Sequence, residues 1–426
     1  MKIPKGVILI WTGSNSNIPS GWTRETLLDD KYPKAWGSEN PNVIGGSATH
    51  SHTASDPGHS LIDHTHTYTT STFYPTNQYQ TRGWEANYPN FNYRHPHFHT
   101  GTTGSVNGGG LIAKDFITGE ASNDPPFKKV IFIKAGNSSI LQDGICVLWD
   151  KTTTPNNYID ENYNGKFIKG AGSGEDAGGE GGSLNHSHSV NHSQIISAHS
   201  HQGSWTNTAP ENPPSGGDVF GRNPINNWTT YVHKHWADYG NDNTAGQSSS
   251  FIGTYNTTEN VEPYHIKLRL LKKLTGGIKE KGIIGLWLGD INNIPKGWVL
   301  CNGRNGTLDL RDKFIKITTN PSEVGQVGGS NTHTHAPYSH THSEIPHTHS
   351  ISTGYADSNT YETAWSGYNT TPKNHTHTGT TNQAYMVFNN SSITFSTSDN
   401  QPPYRTVAYI QFQKEIYGGS ALLNFI

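Results

Sequence analysis

The sequence has few of the residues that usually build a large globular core, and it has no excess of charge of one sign. Hydrophobic residues make up 31% of the 426 residues, against roughly 45–50% in ordinary globular chains. The formal net charge is -3, so Lys and Arg are not in excess and nucleic acid is not expected as a partner. The two cysteines, Cys146 and Cys301, lack CxxC spacing and are expected to be packing residues.

Long apolar runs are also absent. No stretch approaches the roughly 18 residues of a membrane-spanning helix, and the apolar part of residues 1–11 is too short for a signal peptide. We therefore expect synthesis in the cytoplasm and no membrane insertion. Disorder usually comes with high charge and few aromatic residues, whereas charged residues are 15% and aromatics 11% here. The predicted fold is mostly β and elongated, and something other than a large apolar core must hold it together.

The sequence contains one pattern in three successive copies. Each copy opens with a short buried strand that starts at Gly and ends at Trp, and it closes with a proline-marked turn before a second strand. Between the two strands lie a Gly-Gly pair, a His-rich run, an aromatic polar stretch and another His pair. We predict three tandem modules, residues 1–138, 139–277 and 278–414, followed by a C-terminal tail, residues 415–426.

Most of the 24 histidines fall in His-x-His pairs that have the same order in every copy. On an extended strand, residues two apart point to the same face, so each pair presents two imidazoles side by side. One such pair alone is more often two solvated polar residues, but three matched rows predict metal ligands. The predicted rows are His50/His52 with His186/His188 and His333/His335, His64/His66 with His199/His201 and His347/His349, and His97/His99 with His233/His235 and His375/His377.

Three pairs that meet at one point would supply six imidazole nitrogens. Such a set suits an octahedral first-row ion, with iron(II) first and zinc or nickel next, because magnesium and calcium prefer oxygen ligands. Six protein ligands leave no position open for water or substrate, so we expect three or more structural ions. Further candidate ligands, for the alternative pair His95/His97 and for a partial fourth site, are His59, His95, His192, His340 and His342.

An enzymatic function is not expected. The Gly-rich run at residues 170–182 lacks the Gly-Lys-Ser/Thr ending of a phosphate-binding loop, and no pair of carboxylates recurs across the copies. A metal-dependent hydrolase stays open only as a third-ranked alternative.

The third copy carries motifs that resemble the phage tail collar family. They are Pro295-Lys-Gly-Trp298-Val-Leu-Cys301, Asp309-Leu-Arg-Asp-Lys-Phe314, Gly328-Gly329, His333-Thr-His335 and Asn400-Gln-Pro-Pro-Tyr404. The resemblance spans nearly the whole third copy. The second copy retains less of it, and the first retains little between Trp22 and Gly45.

The plan is also similar to the long tail fibre tips of T-even-like phages. That resemblance implies a collar, a thin needle of interwoven strands clamped by iron in His-x-His sets, and a small receptor-binding head. Three identical chains make the tip in that family, whereas this chain carries three copies. We therefore expect a monomer that acts as a pseudo-trimer, with a homotrimer as the alternative.

The resemblance further implies a virion protein of the tail fibre or tail tip, which attaches to another phage tail or fibre protein. Its expected function is receptor binding at the host cell surface, to a glycan or an outer-surface protein, with a structural tail adaptor or plug as the alternative. The predicted head loops, residues 68–94, 203–232 and 350–374, hold aromatic rings that suit such contacts. The candidate receptor-binding residues are Tyr74, Trp84, Tyr93, Trp205, Trp228, Tyr361, Trp365 and Tyr368.

Overall fold

The structure is a computed structural model that describes residues 2–37, 41–71, 97–137, 139–205, 207–210, 235–242, 247–256, 262–275, 280–342, 345–353 and 376–413. Within these ranges the regular structure is β-strand, apart from short 3-10 turns at Asn15–Asn17, Thr26–Leu28, Ile291–Asn293 and Pro321–Glu323. The predicted mostly β fold is therefore confirmed. None of the helices in the described ranges has the length and apolarity needed to cross a membrane.

The strands are numbered in chain order, and each sequence copy contributes its own set. The first copy contains β1 (Ile8–Trp11), β2 (Trp22–Arg24), β3 (Tyr32–Ala35), β4 (Ile44–Gly45), β5 (Thr49–His50), β6 (Thr53–Asp56), β7 (His59–Ser60), β8 (Thr67–Thr69), β9 (His97–Thr102), β10 (Val106–Leu111), β11 (Lys114–Ile117), β12 (Ala121–Ser122) and β13 (Phe127–Ala135). The second contains β14 (Ile145–Trp149), β15 (Tyr158–Asp160), β16 (Phe167–Gly170), β17 (Glu180–Gly181), β18 (Ser187–His201), β19 (Ser204–Trp205), β20 (Asn207–Pro210), β21 (Trp236–Asp242), β22 (Ser248–Asn256) and β23 (His265–Lys273). The third contains β24 (Ile283–Trp287), β25 (Trp298–Leu300), β26 (Phe314–Ile317), β27 (Val327–Gly328), β28 (Thr332–His333), β29 (Tyr338–His340), β30 (Ile345–His347), β31 (His349–Thr353), β32 (Thr378–Thr380), β33 (Ala384–Met386), β34 (Ser391–Phe395), β35 (Ser398–Asp399) and β36 (Tyr404–Phe412).

The three opening strands lie together at the centre of the apolar core. β1 pairs antiparallel with β14 and with β24, and β14 pairs with β24. Alternate residues of these strands enter two separate apolar clusters, so that Ile8 and Ile10 face one cluster while Val7 and Leu9 face the other. Cys146 lies in the first of these clusters, and both cysteines are free and buried. The three opening strands belong to one 15-stranded sheet, and the closing strands β13, β23 and β36 contribute to the same two clusters.

Corresponding segments of the three copies pair in a closed cycle. β16 of the second copy runs parallel to β13 of the first, β26 of the third runs parallel to β23 of the second, and β3 of the first runs parallel to β36 of the third. Each closing strand therefore lies beside a strand of another copy. The copies cover one another's strand edges, which would otherwise be exposed for pairing with other chains.

The opening glycines follow the same cycle. A Cβ on Gly144 would lie 2.9 Å from Cζ3 of Trp11, and a Cβ on Gly6 would lie 2.8 Å from Cζ3 of Trp287. The glycine at 282 meets Trp149 in the same way, at 3.0 Å. All three glycines have positive φ, and the tryptophan of one copy packs over the glycine of the next. This close approach explains why a glycine starts each opening strand.

Away from the core, the described residues form several small sheets that mix strands of different copies. β18 pairs with β10 and β22, and β34 pairs with β6 and β29. β21 pairs with β19 and β31. These sheets carry part of the histidine set, including His199 and His201 on β18 and His349 on β31.

Regular strands also run into the first residues of the predicted head loops. Tyr68 is buried in β8, β19 and β20 lie within residues 203–232, and β31 continues to Thr353. β20 pairs with β9 of the first copy and β31 pairs with β21 of the second copy, and the Ser- and Thr-rich sequence of these strands did not indicate this pairing. The rest of the predicted head loops and the predicted tail, residues 415–426, lie outside the described residues.

Candidate metal centres

β18 shows how a strand aims its polar residues inward. From residue 187 to residue 196 the odd-numbered side chains are exposed and the even-numbered ones are buried. His188 and His192 therefore point to the inside, together with Val190 and Ile196. His199 and His201 are buried further along the same strand. The interior of this part of the molecule is thus lined by imidazoles as well as by apolar side chains.

The first histidine cluster brings together one predicted row from all three copies. Each imidazole offers one nitrogen, and these atoms all lie within 4.8 Å of one another. Nε2 of His186 is 3.2 Å from Nε2 of His50 and 3.3 Å from Nε2 of His333. Neighbouring ligands of an octahedral ion with bonds of about 2.1 Å lie roughly 3 Å apart. The cluster consists of His50, His52, His186, His188, His333 and His335.

The second nitrogens of the first cluster show which atoms are available to a metal. Nδ1 of His52 donates to the carbonyl oxygen of Ser396 at 2.6 Å, and Nδ1 of His188 donates to that of Gly119 at 2.7 Å. In a neutral imidazole that donates through Nδ1, Nε2 carries a lone pair. Both Nε2 atoms are buried and lack a hydrogen-bond partner. A cation between them would satisfy both.

The second histidine cluster consists of two overlapping groups of four that share His201 and His347. Nε2 of His347 is 3.0 Å from Nε2 of His64 and 3.1 Å from Nε2 of His66. Nδ1 of His66 and of His201 donate to backbone carbonyl oxygens at 2.8 Å, as in the first cluster. The full cluster, His64, His66, His199, His201, His347 and His349, is the second predicted row.

The third histidine cluster contains His99, His235 and His377, which could hold an ion together. Their ring centroids are 4.7–5.1 Å apart, and all three rings are buried. These are the second members of the third predicted row, in the His97/His99 register. His97 lies in β9 but its side chain is not among those described, and His95, His233 and His375 lie outside the described residues.

A fourth group, here called the mixed cluster, surrounds the carboxylate of Asp56. The structure places His192, His340 and His342 with Asp56 as a possible metal-binding group. His59 joins it through Nε2, 3.4 Å from Oδ2 of Asp56. The four histidines are the candidates for a partial fourth site, but the carboxylate was not predicted. It belongs to an Asp-Pro-Gly-His segment that has no counterpart in the other copies.

Burial lowers the pKa of several imidazoles in the first two histidine clusters. Burial, followed by neighbouring imidazoles, lowers the pKa of His333 to about 3 and that of His186 to about 2. The same causes lower the pKa of His347 to about 3 and that of His50 to about 4. Only a neutral imidazole can coordinate a metal. These four imidazoles are therefore in the correct protonation state at neutral pH.

Buried threonines, which were not predicted from the sequence, support the histidines. Thr103 accepts from the backbone N–H of His66 at 2.9 Å, and its hydroxyl lies 3.3 Å from Nδ1 of His201. Across the same hairpin, Thr70 accepts from the backbone N–H of His99. Thr353 and Thr381 make the equivalent pair of bonds with His377 and His349. The sequence does contain a pattern that marks them: each of these threonines stands four residues after the second histidine of a pair.

The structure describes none of the side chains of the candidate receptor-binding residues. Trp205 lies in β19, but its side chain is not among those described. The other candidates lie outside the described residues, namely Tyr74, Trp84, Tyr93, Trp228, Tyr361, Trp365 and Tyr368.

Comparison with known proteins gives no family. No family model matches the chain, and no curated protein matches it. One similar solved structure is the crystallographic structure of the C24 protein from the Antarctic microorganism Bizionia argentinensis, at 24% identity and a TM-score of 0.19. The match covers 32% of this chain and 62% of that chain. A TM-score this low does not establish a common fold, so the tail collar resemblance stays a prediction.

Proposed function

We propose that the chain is a receptor-binding tip of a virion tail fibre, clamped by structural transition-metal ions around a pseudo-threefold axis. The observation that carries the proposal is the first histidine cluster, in which each of the three copies contributes one His-x-His pair to a single point. Three separate strands that converge on six imidazoles are an arrangement for holding strands together. A catalytic metal site would need an open position.

The proposal that one chain forms the whole tip rests on the contacts between copies. The parallel pairings link the second copy to the first, the third to the second, and the first to the third. The first and second histidine clusters likewise take ligands from all three copies. One chain thus supplies every ligand of these two clusters.

Receptor binding is proposed from where the predicted head loops join the described strands. Residues 72–96 connect β8 to β9, and residues 354–375 lie between β31 and β32. Residues 211–234 end directly before His235. All three segments therefore join the body beside the third histidine cluster. Their aromatic residues suit stacking on sugars or packing against an outer-surface protein.

Iron(II) is the proposed ion for the six-imidazole clusters, with zinc or nickel as alternatives. Imidazole nitrogen suits these ions, whereas calcium and magnesium require oxygen. The clusters differ from hydrolytic sites because six protein nitrogens fill the coordination shell.

Mass and adhesion together test the proposal. Mass photometry of the isolated protein should give the mass of a single chain, 46.7 kDa. A fluorescently labelled chain should decorate cells of some strains in a panel of bacteria. A stable species of three times that mass would favour the homotrimer, and failure to decorate any strain of a broad panel would favour a structural adaptor.

Single substitutions identify the binding face. Trp84→Ala, Trp205→Ala and Trp365→Ala should weaken cell decoration unequally, because the three loops differ in sequence and an anchoring ring commonly contributes a few kcal/mol. Tyr385→Ala is the matched control, since Tyr385 is an exposed ring on β33 in the body. Equal binding by all four variants would contradict receptor binding through these rings.

A further inference from the structure

The mixed cluster differs from the histidine clusters in its charge and in its donor atoms. Oδ2 of Asp56 is 2.9 Å from Nε2 of His340, 3.0 Å from Nε2 of His192 and 3.4 Å from Nε2 of His59. Oδ1 of the same carboxylate accepts from the N–H of Gly58 at 3.0 Å and from the hydroxyl of Ser391 at 3.3 Å. One carboxylate oxygen is therefore fixed by the protein, and the other faces three imidazoles.

These imidazoles are short of hydrogen-bond partners. Nδ1 of His59 donates to the carbonyl oxygen of Asn389 at 2.7 Å, and Nε2 of His59 is buried without a hydrogen-bond partner. Both ring nitrogens of His342 are buried and have no hydrogen-bond partner. Hydrogen bonds to Asp56 alone therefore do not satisfy the cluster.

Gln194 presents a buried carboxamide on the inner face of β18. It is 1% exposed, and neither its carboxamide oxygen nor its nitrogen has a hydrogen-bond partner. A buried polar group without a partner costs about 1–3 kcal/mol, so such a group calls for an explanation. Gln194 stands two residues after His192 on the same strand face. His192 and Gln194 thus occupy the positions of a His-x-His pair.

The same position in the other two copies is also occupied by two donors. His340 and His342 form a pair in the third copy, and Asp56 and His59 stand in the first, separated by a Pro-Gly turn. All three donor pairs follow the first row of histidines, four or five residues after His52, His188 or His335. The three pairs supply four imidazoles, one carboxylate and one carboxamide.

We propose that the mixed cluster is a fourth metal site, with four imidazole nitrogens and two side-chain oxygens as ligands. The oxygens come from Asp56 and Gln194, and the ion is a first-row divalent cation that accepts mixed nitrogen and oxygen ligands, such as iron(II). The site rests on the proposed metal clamping of the body, but its ligand set is its own. The carboxylate gives it a negative charge that the six-imidazole clusters lack. At this proposed site, the carboxylate of Asp56 would neutralise part of the positive charge of the ion.

Native mass spectrometry of the full chain, stripped of metal and reloaded anaerobically with iron(II), tests the site. The unaltered chain should retain one ion in each of the three histidine clusters and one in the mixed cluster, four in all. Asp56→Ala and Gln194→Leu should each retain three. Gln194→His should retain four, because it completes a His-x-His pair with His192. Asp115→Ala is the matched control, since Asp115 is an exposed acid on β11 beside β6, and it should also retain four.

The number of retained ions distinguishes failure of the fourth site from failure of metal clamping as a whole. Three ions in the unaltered chain, or four in both Asp56→Ala and Gln194→Leu, would overturn the fourth site while leaving the histidine clusters in place. Three ions in Asp56→Ala but four in Gln194→Leu would overturn the role of Gln194. No bound ion in any variant would overturn metal clamping itself. Because the ions of the histidine clusters are counted in the same spectrum, loss of the fold is distinguished from loss of one site.

Discussion

The second ring nitrogen of each histidine fixes the tautomer and the direction of the nitrogen that can bind a metal. His66, His188 and His201 all donate from Nδ1 to a backbone carbonyl oxygen, and this leaves Nε2 for the interior. Loss of a group that holds a ligand in this way typically lowers metal affinity by about 10- to 100-fold. The backbone and the threonines of the returning strands are therefore part of the candidate sites.

At the residue scale, Thr103→Val should weaken the second histidine cluster. Valine keeps the shape of threonine but leaves the buried N–H of His66 without its acceptor, so we expect a loss of about 1–3 kcal/mol in the free energy of unfolding. Metal affinity should fall by roughly 10- to 100-fold. Competition with a chromophoric chelator measures the affinity, and chemical denaturation measures the stability.

Thr69→Val is the control for this substitution, because Thr69 is exposed on β8. It should leave both quantities unchanged. Thr103→Ser should restore most of the affinity, since serine keeps the hydroxyl. Equal behaviour of Thr103→Val and Thr69→Val would show that the hydroxyl has no such role.

Acidification should destabilise the protein even without metal. Burial, followed by neighbouring imidazoles, lowers the pKa of His333, His335 and His347 to about 3, from about 6.5 for free histidine. Between these values the unfolded chain binds protons that the folded chain does not, so the free energy of unfolding falls as the pH falls. In the presence of a strong chelator, the Tm should be nearly constant above pH 7 and should decrease from pH 6.5 towards pH 4. A Tm that rises on acidification would contradict the buried neutral imidazoles.

At the element scale, the opening strands depend on a glycine that no other residue can replace without cost. Gly144 has a φ of 86°, and a Cβ there would meet the ring of Trp11. We expect Gly144→Ala to lower the free energy of unfolding through both the backbone strain and the displaced ring. Gly174→Ala is the matched control, because Gly174 has a φ of 77° but nothing within 4 Å of its Cβ position.

Chemical denaturation of the two variants separates these effects. Gly174→Ala should show only the backbone term, about 1–3 kcal/mol at most. Gly144→Ala should lose more than that, and the excess measures the contact between the first and second copies. Equal losses would mean that the tryptophan ring moves aside without cost.

Part of the fold and of the candidate sites could be predicted from the sequence, because buried strands appear as short apolar runs and side chains two residues apart on a strand share a face. The opening strands were predicted from apolar runs such as the one that ends at Trp149, and the pairing of His50 with His52 on one face follows from the two-residue spacing. Asp56 was not recognised, since Pro57 and Gly58 separate it from His59 and break the spacing. Gln194 was not recognised either, because an amide in a polar strand gives no signal until its burial is known.

Which strands pair could not be predicted from one sequence. β18 is polar on its outer face and could pair with many partners, since Ser, Thr and Gly recur along every candidate strand. Its partners are β10 of the first copy and β22 of its own copy. The parallel pairing of β3 with β36 joins residues from opposite ends of the described chain. Such contacts have no local signature.

At the scale of the whole molecule, the clusters should contribute to stability in place of a large apolar core. An ion bound at a free concentration of about 1,000 times its Kd adds roughly 4 kcal/mol to the folded state, and 1 kcal/mol shifts the Tm by about 2–4 °C in mid-sized domains. Removing the metal with a strong chelator at pH 7 should therefore lower the Tm by on the order of 10 °C. Readdition of iron(II) should restore it. An unchanged Tm after complete removal, verified by elemental analysis, would show that the ions do not clamp the strands.

The separation along the chain between ligands of one cluster also determines when that cluster can form during translation. His64 and His347, whose Nε2 atoms are 3.0 Å apart, are separated by 283 residues. At roughly 5–20 residues per second, a ribosome needs tens of seconds to deliver the second after the first. For that time the first copy has emerged with its histidine pairs incomplete and its strand edges uncovered. The nascent chain must therefore stay unaggregated until its last third appears, and the final assembly step belongs to the end of translation.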